Sequence, residues 1–253
     1  MTEAVVLVAG RGSRLQELTE DRPKCLIEIG GKPIINWILG ALRRNGLTGI
    51  TLVGGYRADL LPVEGVAKRL NVRWEETNMV ATLLCADDIL RAHPTIVSYG
   101  DILYAPTAIQ SLLCAREDIA ITYDRAWLEL WQARFANPLD DAETFHEEGG
   151  LLRAIGSRAS SVNDIHGQYM GLLRFTPAGW LRVRAVLDTQ SQARIDRLDM
   201  TSLLSLLLAH GERIAAIPVD GGWLEVDNQT DLSLARRIAA SPPGTFHHDW
   251  RAA

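Results

Sequence analysis

The residues that decide the fold are Ala4-Val5-Val6-Leu7-Val8-Ala9 and, directly after them, Gly10-Arg11-Gly12-Ser13-Arg14-Leu15. An unbroken apolar run rich in β-branched side chains predicts a strand buried on both faces, as in a parallel sheet. A glycine-rich turn straight after such a strand lets backbone N–H groups approach an anion with no Cβ in the way. Working outward, a helical period appears at residues 33–45, where Ile34, Ile35, Ile38, Leu39 and Leu42 make one face. Pro33 suits the first helical position, Arg43 and Arg44 the last turn, and Gly46 the position past the end. Further strands are predicted at 49–53, 72–75, 95–99 and 119–123, alternating with helices at 80–91 and 106–116. That alternation predicts an α/β fold with a doubly wound, mostly parallel sheet. Its ligand cleft is expected outside the carboxyl ends of the strands, where residues 10–14 and Asp101 both fall.

Residues 127–150 break the rhythm. They are polar, aromatic and rich in carboxylates, with Asn137-Pro138 and Gly149-Gly150 as breakers. A lid-like excursion over about 125–167 is expected. Strands follow at 151–155 and 168–175, then helices opened by Thr176-Pro177 and at 200–210, then strands at 213–219 and 223–226. Asn228 caps a last helix with Asp231 in its first turn. The expectation is a single domain over 1–240 and a loose tail over 241–253, where two prolines and a His pair stand.

Composition bounds the rest. A chain of 253 residues, 47% hydrophobic, can bury a full core without a metal or disulfide staple. A net charge of −5 gives no global basic field, which argues against nucleic acid or an anionic membrane as partner. Three widely spaced cysteines, with no CxxC pair and no leader-like N-terminus, suit reduced thiols in the cytoplasm. The basic residues are 23 Arg and only three Lys (Lys24, Lys32, Lys68), so a lysine inside a motif carries weight.

Two constellations carry chemistry. In the first, Ala9, Gly10, Gly12 and Ser13 form an anion cradle, Arg14 adds a charge-assisted fork and Lys24 a point charge. A lone GxG is ambiguous, because many strand-to-helix turns carry one for steric reasons. No third glycine completes a dinucleotide fingerprint and no GK[ST] completes a P-loop. In the second, Asp101 and Asp227 each follow a strand and can together hold one Mg²⁺ while leaving sites for phosphate oxygen and water. Each also has a plain alternative, a turn residue for Asp101 and a helix-cap position for Asp227.

Residues 9–15, with Arg22-Pro23-Lys24-Cys25-Leu26 and Gly31-Lys32-Pro33, resemble the opening signature of the nucleotidyltransferases that make nucleoside-diphosphate sugars and alcohols. Further matches run in order: Gly54-Gly55-Tyr56, Thr77-Asn78 with Thr82-Leu83, Ser98-Tyr99-Gly100-Asp101, Trp131 through Arg134 to residues 138–143, Tyr169-Met170-Gly171, and residues 223–228. Residues 131–143 and 223–228 narrow the resemblance, which is greatest to the phosphocholine and phosphonate cytidylyltransferase group. The resemblance implies a Rossmann-like sheet with a small lid. It implies attack by an acceptor's phosphate or phosphonate oxygen on the α-phosphorus of CTP, releasing pyrophosphate. Gly10, Gly12 and Arg14 would cradle the triphosphate, Lys24 would reach its oxygens, and Gly55, Asn78 and Thr82 would complete the nucleotide pocket. Asp101 and Asp227 would hold Mg²⁺. The acceptor, a small phosphonate or phosphoalcohol, would meet Arg125, Trp131, Arg134, Gln168 and Tyr169. Choline-type members commonly carry a carboxylate where Gln168 stands, so the acceptor is expected to be non-cationic: a hydroxyalkyl or carboxyl-bearing phosphonate. A homodimer is compatible with the resemblance.

Three other readings compete. A sugar-1-phosphate nucleotidyltransferase using dTTP, UTP or GTP shares the same opening motif. A nicotinamide-dependent oxidoreductase would need a third glycine and an acidic residue closing the second strand, where Gly54-Gly55 stand. A non-catalytic nucleotide-binding regulator has no need to keep Arg14, Lys24, Asp101 and Asp227 together.

Overall fold

The computed structural model describes residues 1–62 and 64–251. Among these residues thirteen strands appear in chain order: β1 Glu3–Val8, β2 Glu28–Ile29, β3 Lys32–Pro33, β4 Ile50–Gly54, β5 Ala67–Leu70, β6 Thr95–Tyr99, β7 Ile102–Tyr104, β8 Ile119–Asp124, β9 Glu143–Glu148, β10 Leu151–Arg158, β11 Gln168–Phe175, β12 Ala215–Val219 and β13 Trp223–Glu225. The α-helices are α1 Ile34–Arg44, α2 Met79–Leu84, α3 Asp87–Ala92, α4 Pro106–Leu113, α5 Trp127–Arg134, α6 Pro177–Asp188, α7 Gln192–Ile195, α8 Met200–Ala209 and α9 Gln229–Ala240.

Nine strands form the central sheet in the order β5-β4-β1-β6-β11-β8-β12-β10-β9. The pairings β1·β4, β1·β6, β4·β5 and β8·β12 are parallel, and β11 and β10 run against their neighbours. The doubly wound, mostly parallel α/β sheet is therefore present. β1 lies inside it with Val5 and Val6 wholly buried, as an apolar β-branched run requires. α1 packs Ile34, Ile35, Ile38, Leu39 and Leu42 inward and ends before Gly46, whose φ of +77° closes the turn. α9 opens on a full capping box between Asn228 and Asp231.

The structure corrects several sequence expectations. Residues 72–75 form a turn, and the third parallel strand is β5, whose four residues are all exposed at the sheet edge. The helix expected at 80–91 is two, α2 and α3, parted at Cys85-Ala86. The excursion holds α5 and the hairpin β9–β10, which joins the sheet where Leu151 pairs with Ala215. The tail is packed, not loose. Trp250 is 2% exposed and meets Trp37 edge-on at 5.7 Å, and Arg251 donates to the carbonyls of Ile238, Ala239 and Ser241. Ala252 and Ala253 lie outside the described residues. Among the described residues no helix is long and apolar enough to cross a membrane.

Candidate active site

The Gly-rich turn after β1 and the end of β6 open onto one cavity of about 180 Å³. Ala9, Gly10, Gly12, Lys24, Asn78, Thr82 and Asp101 line it, with Trp74 and Tyr99 in its wall. Gly12 is in the left-handed region at φ +74°, and a Cβ there would stand 2.9 Å from the Cβ and Cδ of Lys24. The glycine thus sets where the lysine lies. At Gly10 a Cβ would meet nothing within 4 Å, so no neighbouring group demands a glycine at that position.

Asp101 and Asp227 are brought together by a small antiparallel ribbon. β13 pairs with β7 in the register Trp223↔Tyr104, Leu224↔Leu103, Glu225↔Ile102, and the ladder continues with Val226 N–H donating to the Asp101 carbonyl at 2.9 Å. At this end of the ribbon both carboxylates reach the ammonium of Lys24. Lys24 Nζ lies 2.5 Å from Asp101 Oδ2 and 2.6 Å from Asp227 Oδ1, and Arg14 donates to Asp227 Oδ2 at 2.5 Å. Burial alone would lower the pKa of the Lys24 ammonium, but the two carboxylates outweigh it and hold the pKa well above its usual value. Burial would raise the pKa of Asp227, and Lys24 and Arg14 reverse that and keep it below the ordinary carboxylate range.

Behind Asp227 stands a second ionic layer. Asp231 accepts from the backbone N–H groups of Asp227 and Asn228 at 2.9 and 3.2 Å. Arg134 clamps Asp231 at 2.8 Å and Glu225 at 2.6 Å, and the Arg134 and Asp231 side chains are 1% and 0% exposed. Burial pushes the Glu225 carboxyl up to about 7; Arg134 opposes the rise, and Asp227 and Asp101 add to it.

The expected nucleotide residues divide into two groups. Gly55 stands beside the cavity rather than in its wall. A Cβ there would come 2.5 Å from Trp74 Cβ and 2.8 Å from the Ala9 carbonyl, which accepts from Tyr56 N–H. Its role is close packing of loop on strand. Asn78 caps α2 and donates to the Arg197 carbonyl, and Thr82 accepts from Asn71. Ser13 is exposed and opens a 3₁₀ turn.

Of the five residues expected to meet the acceptor, one stands against this cavity and four are engaged with other groups. Arg134 is committed to Asp231 and Glu225. Trp131 is buried, stacked on Trp223 at 6.0 Å with the Arg134 guanidinium over its ring. Arg125 pairs with Asp220 on the surface. Gln168 is buried and donates to the Glu143 carbonyl. Tyr169 alone stands against the site, edge-on to Tyr99 at 5.8 Å. Sequence reasoning missed Trp74 and Asp231 as parts of the site. Asp231 had a signal, its place three residues after the Asn228 cap. A second cavity of about 350 Å³ is lined by Glu143, Gly156, Ser157, Arg194, Asp199 and Thr201 among others.

Residues 4–162 match the model of the MobA-like NTP transferase domain. The chain is 36% identical over 249 residues to the CTP:phosphoglutamine cytidylyltransferase of Campylobacter jejuni, covering 91% of this chain and 98% of that protein. It is 26% identical over 93% of its length to a UTP–glucose-1-phosphate uridylyltransferase of Haloferax volcanii, of which 95% is covered. Its fold matches the inositol-1-phosphate CTP transferase of T. maritima with a TM-score of 0.72 at 20% identity, over 94% of this chain and 96% of that one. With this fold, this turn after β1 and these relatives, the chain belongs to the MobA-like NTP transferase family and is a nucleotidyltransferase.

Proposed function

We propose that the protein is a cytidylyltransferase that moves CMP from CTP onto a small acceptor ending in a phosphoryl or phosphonate group, with release of pyrophosphate. The observation that carries this is the Lys24 ammonium held between Asp101 and Asp227 at the floor of the glycine-turn cavity. A polyphosphate needs preorganised positive charge, and an anionic acceptor needs no general base, so positioning and charge stabilisation supply most of the rate. The Gly10–Gly12 turn offers backbone N–H groups, and Lys24 and Arg14 offer charge within reach of the same point.

The two carboxylates converge on a cation already, which is the donor set that suits Mg²⁺. Asp101 and Asp227 would hold it, and its contribution would be to neutralise the polyphosphate. Lys24 would then leave the carboxylates and turn to phosphate oxygen. Arg134 and Asp231 hold the Asp227 backbone in place for this exchange.

A carboxyl-bearing acceptor is favoured. Support comes from Gln168, which brings no charge, and from the Campylobacter relative, whose named acceptor carries an amino-acid carboxylate. Arg194 lines the second cavity and is the cation we assign to such an end, since Arg125 and Arg134 are already paired with carboxylates. The test is incubation with Mg²⁺ and CTP against phosphoglutamine, 2-hydroxyethylphosphonate, 2-aminoethylphosphonate and phosphocholine, and with UTP or dTTP against glucose 1-phosphate, read by mass spectrometry of the nucleotide-linked product. Turnover of phosphoglutamine or the hydroxyalkyl phosphonate above 2-aminoethylphosphonate and phosphocholine is expected. Preference for 2-aminoethylphosphonate or phosphocholine overturns the acceptor reading, and turnover only of UTP or dTTP with glucose 1-phosphate overturns the cytidylyl reading.

A further inference from the structure

The packed tail brings two histidines against the base of α5, away from the glycine turn. Among the described residues, Glu129, His247 and His248 form the one group of three or more metal-ligating side chains, each offering one donor atom, whose donors all lie within 4.8 Å of one another. His247 Nδ1 already stands 3.3 Å from Glu129 Oε2. A tetrahedral ion held at about 2.0–2.2 Å from each donor spaces its donors about 3.3 Å apart. Both side chains are well exposed, so small rotations close the remainder.

The buried member is what distinguishes this trio from a surface ion pair. His248 is 5% exposed and hydrogen-bonded to Asp124, its Nε2 lying 2.9 Å from Asp124 Oδ2. Asp124 is itself fixed, with its other oxygen accepting from the backbone N–H groups of Ala126 and Gly221. A carboxylate acceptor places the proton on Nε2 and leaves the Nδ1 lone pair free. A carboxylate bonded to the far nitrogen of an imidazole is the usual partner of a metal-bound histidine, because it fixes tautomer and ring orientation. His247 is seated too: its carbonyl accepts from Gly222 N–H at 2.8 Å, and its ring occupies space that a Cβ on Gly221 would fill.

We propose that Glu129, His247 and His248 bind a transition-metal ion of the zinc type, oriented by Asp124, that pins the C-terminal tail to α5. Two imidazoles and one carboxylate suit zinc over Mg²⁺ or Ca²⁺, which prefer all-oxygen sets. Water completes the fourth position. The ion joins positions 118 residues apart in sequence and ties the tail to the helix that carries Arg134.

The test uses the full chain without a purification tag, stripped with a chelator and titrated with Co²⁺ and then Zn²⁺. One equivalent of Co²⁺ should produce a saturable visible absorption band, Zn²⁺ should displace it, and Zn²⁺ should raise the melting temperature. His247→Ala should abolish the band, and Glu129→Gln should weaken binding by at least the ~10–100-fold that loss of an outer partner costs. Both residues are exposed, so these variants fold. The band should survive in Asp227→Asn, which separates this site from the carboxylate pair at the glycine turn. Absence of a saturable band, or a band that His247→Ala leaves intact, overturns the proposal.

Discussion

Lys24 is placed by three neighbours: Gly12, which gives it room, and Asp101 and Asp227, which give it partners. Loss of a preorganised cation at a transferring phosphate typically costs about 10²–10³-fold in rate. Lys24→Ala and Arg14→Ala should each lose kcat by about that factor in a pyrophosphate-release assay. Lys24→Arg should recover only part, because a planar fork does not replace a point charge between two carboxylates. Glu225 makes a prediction about pH. Its carboxyl is raised from 4.5 to about 7 in the folded chain, so between those values the folded state holds a proton that the unfolded state has lost. The contribution to stability is thus present below pH 4.5 and lost as pH rises towards 7. Melting temperatures of Glu225→Gln against the wild type should converge at low pH and favour the variant above pH 7. About a quarter of the side chain remains exposed, so screening keeps the effect modest. Lys24 was legible in the sequence because lysine is rare here and this one falls inside a motif. The pairing of Arg134 with Glu225 and Asp231 was not, because a sequence shows that a charge exists but not which charge it is buried against.

At the scale of elements, the ribbon of β7 and β13 aligns the two carboxylates, and the contact of α5 with α9 holds the ribbon's end. Arg134 on α5 and Asp231 on α9 form a buried pair, and breaking such a pair by removing one partner costs about 3–5 kcal/mol. Arg134→Ala should lower stability by about that amount in urea unfolding, and should cut kcat as well, since Asp227 loses the group behind its backbone. A variant that unfolds more easily but turns over at the native rate would separate Arg134 from the site. Strands and helices with strong periodicity were legible: β1, α1, β6, β8 and β11 lie within a residue or two of their expected bounds. β5 was not, because an edge strand of four exposed residues has no apolar alternation to read. The break between α2 and α3 was hidden because Cys85-Ala86 is as apolar as the turns on either side.

Across the whole molecule, the C-terminal segment closes the structure onto its own beginning. Trp250 packs on Trp37 of α1, and Asp249 braces Arg251 at 2.8 Å. Truncating a buried tryptophan costs about 3–5 kcal/mol, so Trp250→Ala should lower the unfolding midpoint clearly while leaving the residues at the glycine turn in place. Composition suggested a loose tail, because prolines and polar residues dominate it, and one aromatic near the end does not announce what it covers. The strand order has a consequence for synthesis. β11 lies between β6 and β8, yet it is made after both, and β6 ends at Tyr99 while β11 ends at Phe175. At about 5–20 residues per second on the ribosome, the inner edge of β6 waits for roughly 4–15 s before its permanent neighbour exists. During that interval Ile96 and Val97 present an unpaired, apolar edge at what becomes the centre of the sheet. The nascent chain therefore passes through a window in which a chaperone or a slow codon run after residue 100 would decide how much of it reaches the native state.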